Sequence, residues 1–238
     1  MILFKYLEDK DIFQTFYTMG LSMRLIRGVS ASYEAEASMI WKLRVACGFE
    51  YTNKLQCMFT GMYVLLSSAS TSPHLDMSLS KDLTDSFKLY MIQEHPDAQD
   101  ITFSIKILGT NFWPLNPPTP GFVTPTEIAI TYDRFQQYYQ TKHSGRKLTW
   151  LWNYSKNELL TNYLNQKYIL MTSSYQMAVL LQYNRHDTLS LNEIQAATAI
   201  SNDTLSQVLS LLVKAKILIN EKEDQYDLNP STFYQDMR

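Results

Sequence analysis

The side chains that most often carry chemistry are scattered along this sequence. Its four histidines, His74, His95, His143 and His186, stand far apart, and Cys47 and Cys57 are too widely spaced for a Cys-x-x-Cys redox or zinc pair. The sequence holds no nucleophile elbow, phosphate-binding glycine loop, metal-ligand spacing or paired-carboxylate pattern. His143, in the run KHSGRK, is the one position that invites a general-base reading, and its place between a helical and a strand pattern makes a structural turn residue the better one. The types and spacing point away from catalysis. Trp150 and Trp152 fall on one face of a run rich in β-formers, Lys147 to Tyr154, where alternation turns Leu148, Trp150, Trp152 and Tyr154 the same way. Such aromatics most often fill a core and less often frame a pocket for a foreign side chain, so the expected chemistry is apolar contact, with no cofactor and no metal.

The elements that must position these residues follow from pattern. Ser144-Gly145 breaks the helical pattern before Lys147, and Leu159 to Tyr163 and Tyr168 to Met171 are two further short strand candidates around the turn-like Asn165-Gln166, which together predict a small antiparallel meander. Ile101 to Leu108, ITFSIKIL, alternates cleanly and is expected to join the same sheet. Asn111 to Pro125 carries five of the eight prolines and reads as an irregular crossing segment. A helix from Thr126, with Ile128, Tyr132, Phe135, Tyr138 and Tyr139 as its apolar stripe, leads back to His143 and lies against the sheet.

Before this module, Leu3 to Arg27, a helix capped by Ser32 and closed by Gly48, Phe49 to Met62, and a helix capped by Ser80 describe a bundle. After it, Thr172-Ser173-Ser174 caps a helix through Tyr183. Helices Asn192 to Thr198 and Asp203 to Ala215 follow, with Ser201 capping the second, and then β-like runs Ile217 to Asn220 and Gln225 to Leu228, which together read as a winged helix. The fold class is α+β, mainly helical: a helical bundle, then a small mostly antiparallel α/β sheet module, then a winged-helix domain. The boundaries expected are 1–98, 99–171 and 172–230, with a tail over 231–238.

Composition adds exclusions. The 238 residues carry 21 basic and 23 acidic side chains, a net charge of −2, so nothing steers the whole molecule to nucleic acid or an anionic membrane. A winged helix invites a DNA reading, but the outward positions of its second long helix, Asn202, Asp203, Ser206, Gln207 and Ser210, offer no phosphate anchor before Lys214 and Lys216, so nucleic acid is not the expected partner. No eighteen-residue apolar run occurs and MILFKYLEDKD turns charged too soon for a secretory signal, which makes cytoplasm or nucleus the expected place and membrane association unexpected. That opening enters an amphipathic helix without a cap, as the middle of a longer protein would.

HSGRKLTW followed by SSYQMAVLLQYN closely resembles the cullin family, and FEYTNKLQ at 49–56, SASYEAEASMI at 30–40 and LSKDL at 79–83 extend the resemblance over nearly the whole sequence in the family's order. It implies a non-catalytic scaffold of RING-type ubiquitin ligases, similar to the cullin that serves F-box ligases. The implied mechanism is β-augmentation: a small RING-box protein inserts a strand into the α/β sheet. The implied receiving residues are Lys147, Leu148, Thr149, Trp150, Leu151, Trp152, Leu159, Thr161, Tyr163, Tyr168 and Leu170, with Ile105 and Ile107 as further sheet positions. A ubiquitin-conjugating enzyme, held through the RING, and a cullin exchange factor are further implied partners. Departures stand beside the matches. FYTMGLSMRL replaces a lysine-bearing family pattern with Met19, Gly20 and Met23, and Tyr33 and Trp41 replace smaller or acidic residues. Residues 63–77 have no family counterpart and read as a flexible insertion or retained non-coding sequence. The adaptor-binding repeats and the region of the modifier-accepting lysine are expected to be absent.

Overall fold

The computed structural model describes residues 3–63, 76–96, 101–109, 111–117, 120–164, 166–222 and 224–230. Nearly all of the atypical 63–77 stretch, and the tail after 230, lie outside the described residues. The chain forms two compact units, Met1–Asn116 and Pro117–Arg238.

The first unit is helical. It contains α1 (Lys10–Arg27), α2 (Tyr33–Cys47), α3 (Phe49–Tyr63) and α4 (Asp76–Glu94), with α3 packed against the other three. Apolar residues three and four apart face inward from each helix, and Leu21, Leu25, Ile40, Leu43, Leu55 and Met58 close the core. Gly28, at φ 66°, turns the chain out of α1 in the left-handed conformation that favours glycine. Ser32 caps α2 as its sequence position predicts, its hydroxyl accepting from the Ala35 N–H at 3.2 Å. One polar clasp joins α1 to α2. Arg24 Nε and Nη2 donate to the two Glu36 carboxylate oxygens at 2.5 and 2.9 Å, and Tyr17 Oη and Ser30 Oγ add 3.1 and 3.3 Å contacts.

The ITFSIKIL run departs from expectation. It keeps its alternation, with Phe103, Ile105 and Ile107 turned inward, but it forms no strand among the described residues and belongs to this helical unit. The reason is that partners distant in sequence take its polar groups. The Ile105 N–H donates to Thr84 Oγ1 of α4 at 3.2 Å and the same hydroxyl donates to the Ile105 carbonyl at 3.4 Å. Lys106 Nζ donates to the Leu25 and Ile26 carbonyls at the end of α1, two of the groups a helix terminus leaves without intrahelical partners. Phe103 meets Phe87 edge to face at 6.0 Å.

The second unit opens with α5 (Thr126–Lys142), followed by a strand hairpin and the winged helix. The hairpin is β1 (Lys156–Leu160) antiparallel to β2 (Ile169–Ser173), with Leu159 opposite Leu170 and Leu160 opposite Ile169. Then come α6 (Ser174–Gln182), β3 (Thr188–Ser190), α7 (Leu191–Thr198), α8 (Asn202–Lys214), β4 (Leu218–Lys222) and β5 (Gln225–Leu228), the three strands ordered β3-β5-β4. Val179, Ile194, Leu205, Leu209, Leu212 and Leu218 form its core. Strand β3 is an element that the sequence pattern did not single out. Among the described residues no helix is long and apolar enough to cross a membrane.

The predicted meander is corrected to a two-stranded hairpin. Lys147 to Leu151 enters no strand among the described residues, and Trp152–Tyr154 is a 3-10 turn. Packing explains the curl. Trp150 and Trp152 stack 6.0 Å apart and both close on Tyr132 of α5, at 4.6 and 5.1 Å, while Trp152 also meets Phe122 at 5.3 Å. Burying both indoles against one helix bends the backbone between them. The freed polar groups are met locally, by Tyr154 N–H to the Leu151 carbonyl at 3.0 Å and Ser155 Oγ to the same oxygen at 3.2 Å.

Candidate strand-receiving hairpin and cleft

The hairpin is fastened to the winged helix by its own last residue. Ser173 ends β2 and caps α6, its hydroxyl accepting from the Gln176 N–H at 3.2 Å while Gln176 Oε1 accepts from the Ser173 N–H at 2.9 Å. Asn157 Nδ2 reaches Ser174 Oγ at 3.2 Å, and Tyr175 Oη donates to Asn153 Oδ1 at 2.6 Å, so β1, β2 and the 3-10 turn are all held to the start of α6.

Period-two alternation divides the hairpin into two faces. Asn157, Leu159, Leu170 and Thr172 turn inward, and Leu159 and Leu170 pack on the winged-helix core. Glu158, Leu160, Ile169 and Met171 turn outward, and the last three are 60%, 64% and 63% exposed. The ladder continues past β1, because the Thr161 N–H donates to the Tyr168 carbonyl at 2.9 Å and the Tyr168 N–H to Thr161 Oγ1 at 2.8 Å. With that pair bonded, alternation of the antiparallel ladder turns the N–H and C=O of Glu158 and Leu160 away from β2, toward an edge that no third strand covers among the described residues.

Beside the hairpin lies an open cleft of about 290 Å³. Leu159 and Leu170 of the hairpin, Leu180 and Leu181 of α6, and Ile217 and Leu228 of the wing supply its apolar wall. Asn162 and Asn184 sit among them, as do Tyr163 and Tyr183. Tyr183 donates to the Tyr226 carbonyl at 3.0 Å, and burial, followed by the nearby Asp227 and Tyr226, pushes its phenol far above the ordinary range, which keeps it a neutral donor. Burial likewise raises Tyr132 under the two indoles.

Thirteen residues carried the recognition reading, and the structure sorts them. Leu159, Thr161, Tyr163 and Leu170 come together at the cleft, and Tyr168 pairs with Thr161 at its end. Trp152 is buried and Trp150 half-buried in the aromatic cluster, which makes them footing for the hairpin. Lys147 and Thr149 are exposed, with Leu148 and Leu151 half-buried, on the extended approach to that cluster. Ile105 and Ile107 lie in the helical unit, inward-facing on the segment tied to α4. Within the strand candidates Leu159 to Tyr163 and Tyr168 to Met171, sequence reasoning did not set the outward trio Leu160, Ile169 and Met171 apart, and it missed the cleft wall from Leu181, Ile217 and Leu228. KNELL and ILMTS place apolar residues on both faces, a signal of a strand covered on both sides that was there to be read. On the winged helix, Asn202, Asp203, Ser206, Gln207 and Ser210 are exposed as expected, and Leu211 beside them is 55% exposed.

Residues 107–235, which include the hairpin and the winged helix, match the cullin alpha+beta domain. The chain belongs to the cullin family. Its residues 1–66 match the cullin alpha solenoid domain, in agreement with the helical character of the first unit. Cullin-1 of Dictyostelium discoideum is 45% identical over 92% of the chain and 27% of its own length, and cullin-1 of Schizosaccharomyces pombe is 41% identical over 98% of the chain and 28% of its own length. Human cullin-4A is 37% identical over 92% of the chain and 27% of its own length. The chain therefore spans little more than a quarter of the length of these cullin relatives.

Proposed function

We propose that this cullin is a non-catalytic scaffold element of a ubiquitin ligase, and that its second unit holds a RING-box protein by accepting a strand into the hairpin sheet. The observation that carries the reading is the hairpin itself: two strands, footed on the Trp152–Tyr154 turn and on α6, with outward backbone groups at Glu158 and Leu160 and three exposed apolar side chains. Two strands alone make a marginal sheet, and a third supplies the pairing such an edge lacks. Through the RING, the scaffold positions a ubiquitin-conjugating enzyme, raising the effective concentration of the reacting groups with no side-chain chemistry of its own. The place of action on this reading is cytoplasm or nucleus.

Co-expression with a RING-box protein followed by size-exclusion chromatography tests the reading. A 1:1 complex is expected, with slowed amide exchange at 156–160 and 168–173. An intact chain that stays folded by circular dichroism and does not co-elute refutes it.

A further inference from the structure

We propose that Ser30, in the loop between α1 and α2, is a phosphoacceptor for an arginine-directed protein kinase, and that the phosphate takes Arg24 from Glu36 and so resets the clasp that joins the two helices. The site belongs to the helical unit and stands apart from the strand-insertion reading.

The loop can be presented to an enzyme. Gly28, at φ 66°, carries the chain out of α1, and Gly28, Val29 and Ala31 are exposed. Ser30 and Ala31 make no backbone hydrogen bond among the described residues, and the Ser30 hydroxyl donates to Glu36 Oε1 at 3.3 Å. Lifting Ser30 therefore breaks one long hydrogen bond. Arg27, the exposed last residue of α1, stands three residues before Ser30 in the run RGVS, where a kinase with an acidic pocket can take its guanidinium.

Sequence alone does not choose this serine, because Arg146 precedes Thr149 and Arg185 precedes Thr188 at the same spacing. Thr188 is paired in β3 opposite Asp227, and Thr149 leads directly into the stacked indoles of Trp150 and Trp152. At Ser30 the structure also supplies a receiver for the product. Arg24 Nε and the Ser30 hydroxyl donate to the same Glu36 oxygen, so the two lie within two hydrogen-bond lengths of each other. The guanidinium is kept there by the Tyr17 ring, whose centroid is 5.6 Å away.

The exchange follows from charge. Attack of Ser30 Oγ on the γ-phosphorus of ATP forms the new O–P bond; ADP leaves with the electrons of the broken bridging bond, and the hydroxyl proton goes to the base that the kinase supplies. The product carries a charge of about −1.5 to −2 and three acceptor oxygens, which the fork of Arg24 can bind in place of a singly charged carboxylate. Glu36 is then a like charge in contact with the phosphate and is driven out, which frees the first turn of α2 from α1. Against burial, which raises it, Arg24 now holds the Glu36 carboxyl below its usual range, so losing Arg24 to the phosphate must move that carboxyl up.

The test uses the full chain, Mg·ATP and the catalytic subunit of cyclic-AMP-dependent protein kinase as the arginine-directed probe. Tandem mass spectrometry should place phosphate on Ser30, and Arg27→Ala should slow that transfer roughly tenfold or more. A folded chain that gains no phosphate at Ser30, or gains it as fast without Arg27, overturns the site. A second measurement reads the clasp. In the phosphorylated chain the Glu36 titration midpoint, by carbon-detected NMR, should rise further than in Ser30→Ala, which removes the hydroxyl alone. The phosphorus-NMR midpoint of the phosphate should rise in Arg24→Gln and return toward its first value in Arg24→Lys, which keeps the charge. Either midpoint staying unchanged, or Arg24→Lys behaving as Arg24→Gln does, overturns the exchange.

Discussion

Replacing Glu36 by glutamine should loosen α1 from α2 by about 2 kcal/mol at neutral pH, and the loss should fade in acid. Two limits bracket the magnitude. Breaking a fully buried ion pair costs about 3–5 kcal/mol and an exposed one about 0–1 kcal/mol. Here the Glu36 side chain is 11% exposed and that of Arg24 is 35% exposed, so solvent screens one partner and the cost falls between. The substituted amide would keep one acceptor for Arg24 but forfeit the two-point, charge-assisted geometry at 2.5 and 2.9 Å. The pH dependence has a definite sign. Burial pushes the Glu36 carboxyl up, but the Arg24 hydrogen bonds and charge, joined by Tyr17 and Ser30, outweigh it and hold the carboxyl below its usual 4.5. The unfolded chain therefore binds this proton at higher pH than the folded one. The stabilisation is fully present above the unfolded value and is lost as pH falls through the folded one. Amide exchange of α1 and α2, compared between the two proteins from pH 7 down to pH 3, reads the effect at the clasp itself. A gap below about 0.5 kcal/mol at pH 7, or one that stays constant into acid, would refute the argument from this ion pair.

Leu205 is fully buried in α8, so Leu205→Ala should cost about 3 kcal/mol and lower the melting temperature of the second unit by roughly 10 °C in calorimetry. Ser173→Ala removes one half of the capping box that joins β2 to α6 and should cost about 1 kcal/mol by urea unfolding. Glu193 is held below the usual carboxylate range by the Ser190 backbone N–H and then by its hydroxyl; Ser190→Ala should move its titration midpoint upward in carbon-detected NMR, while a Ser190→Thr change restores it.

Much of this architecture was legible because it rests on local signals. The serine caps at Ser32 and Ser173, the winged-helix order, and the stripe of α5 all depend on residues within one turn of each other. The misread stretches are those where a distant partner decided. ITFSIKIL alternates as a strand does, yet Thr84, far from it in sequence, occupies the Ile105 backbone groups. KLTWLWNY has strand propensity throughout, yet two indoles seeking one helix bend it. The cleft was invisible for the same reason: Leu159, Leu181 and Ile217 belong to three elements, and only their packing makes a wall.

The hairpin and its neighbours also give the recognition aromatics a structural role. A two-stranded sheet gains little from its own pairing, so its geometry must be imposed by what it stands on. Trp150 and Trp152, packed against Tyr132, and the Ser173–Gln176 box do this, and no further strand pairs with the outer edge of β1 among the described residues. An edge held rigid by others loses little further order on pairing, so each backbone bond a partner makes contributes more of its energy to affinity. Had the two indoles instead faced solvent, the hairpin would have lost its foundation on α5 in exchange for contact area. A partner strand would then have to order the sheet as well as bind it.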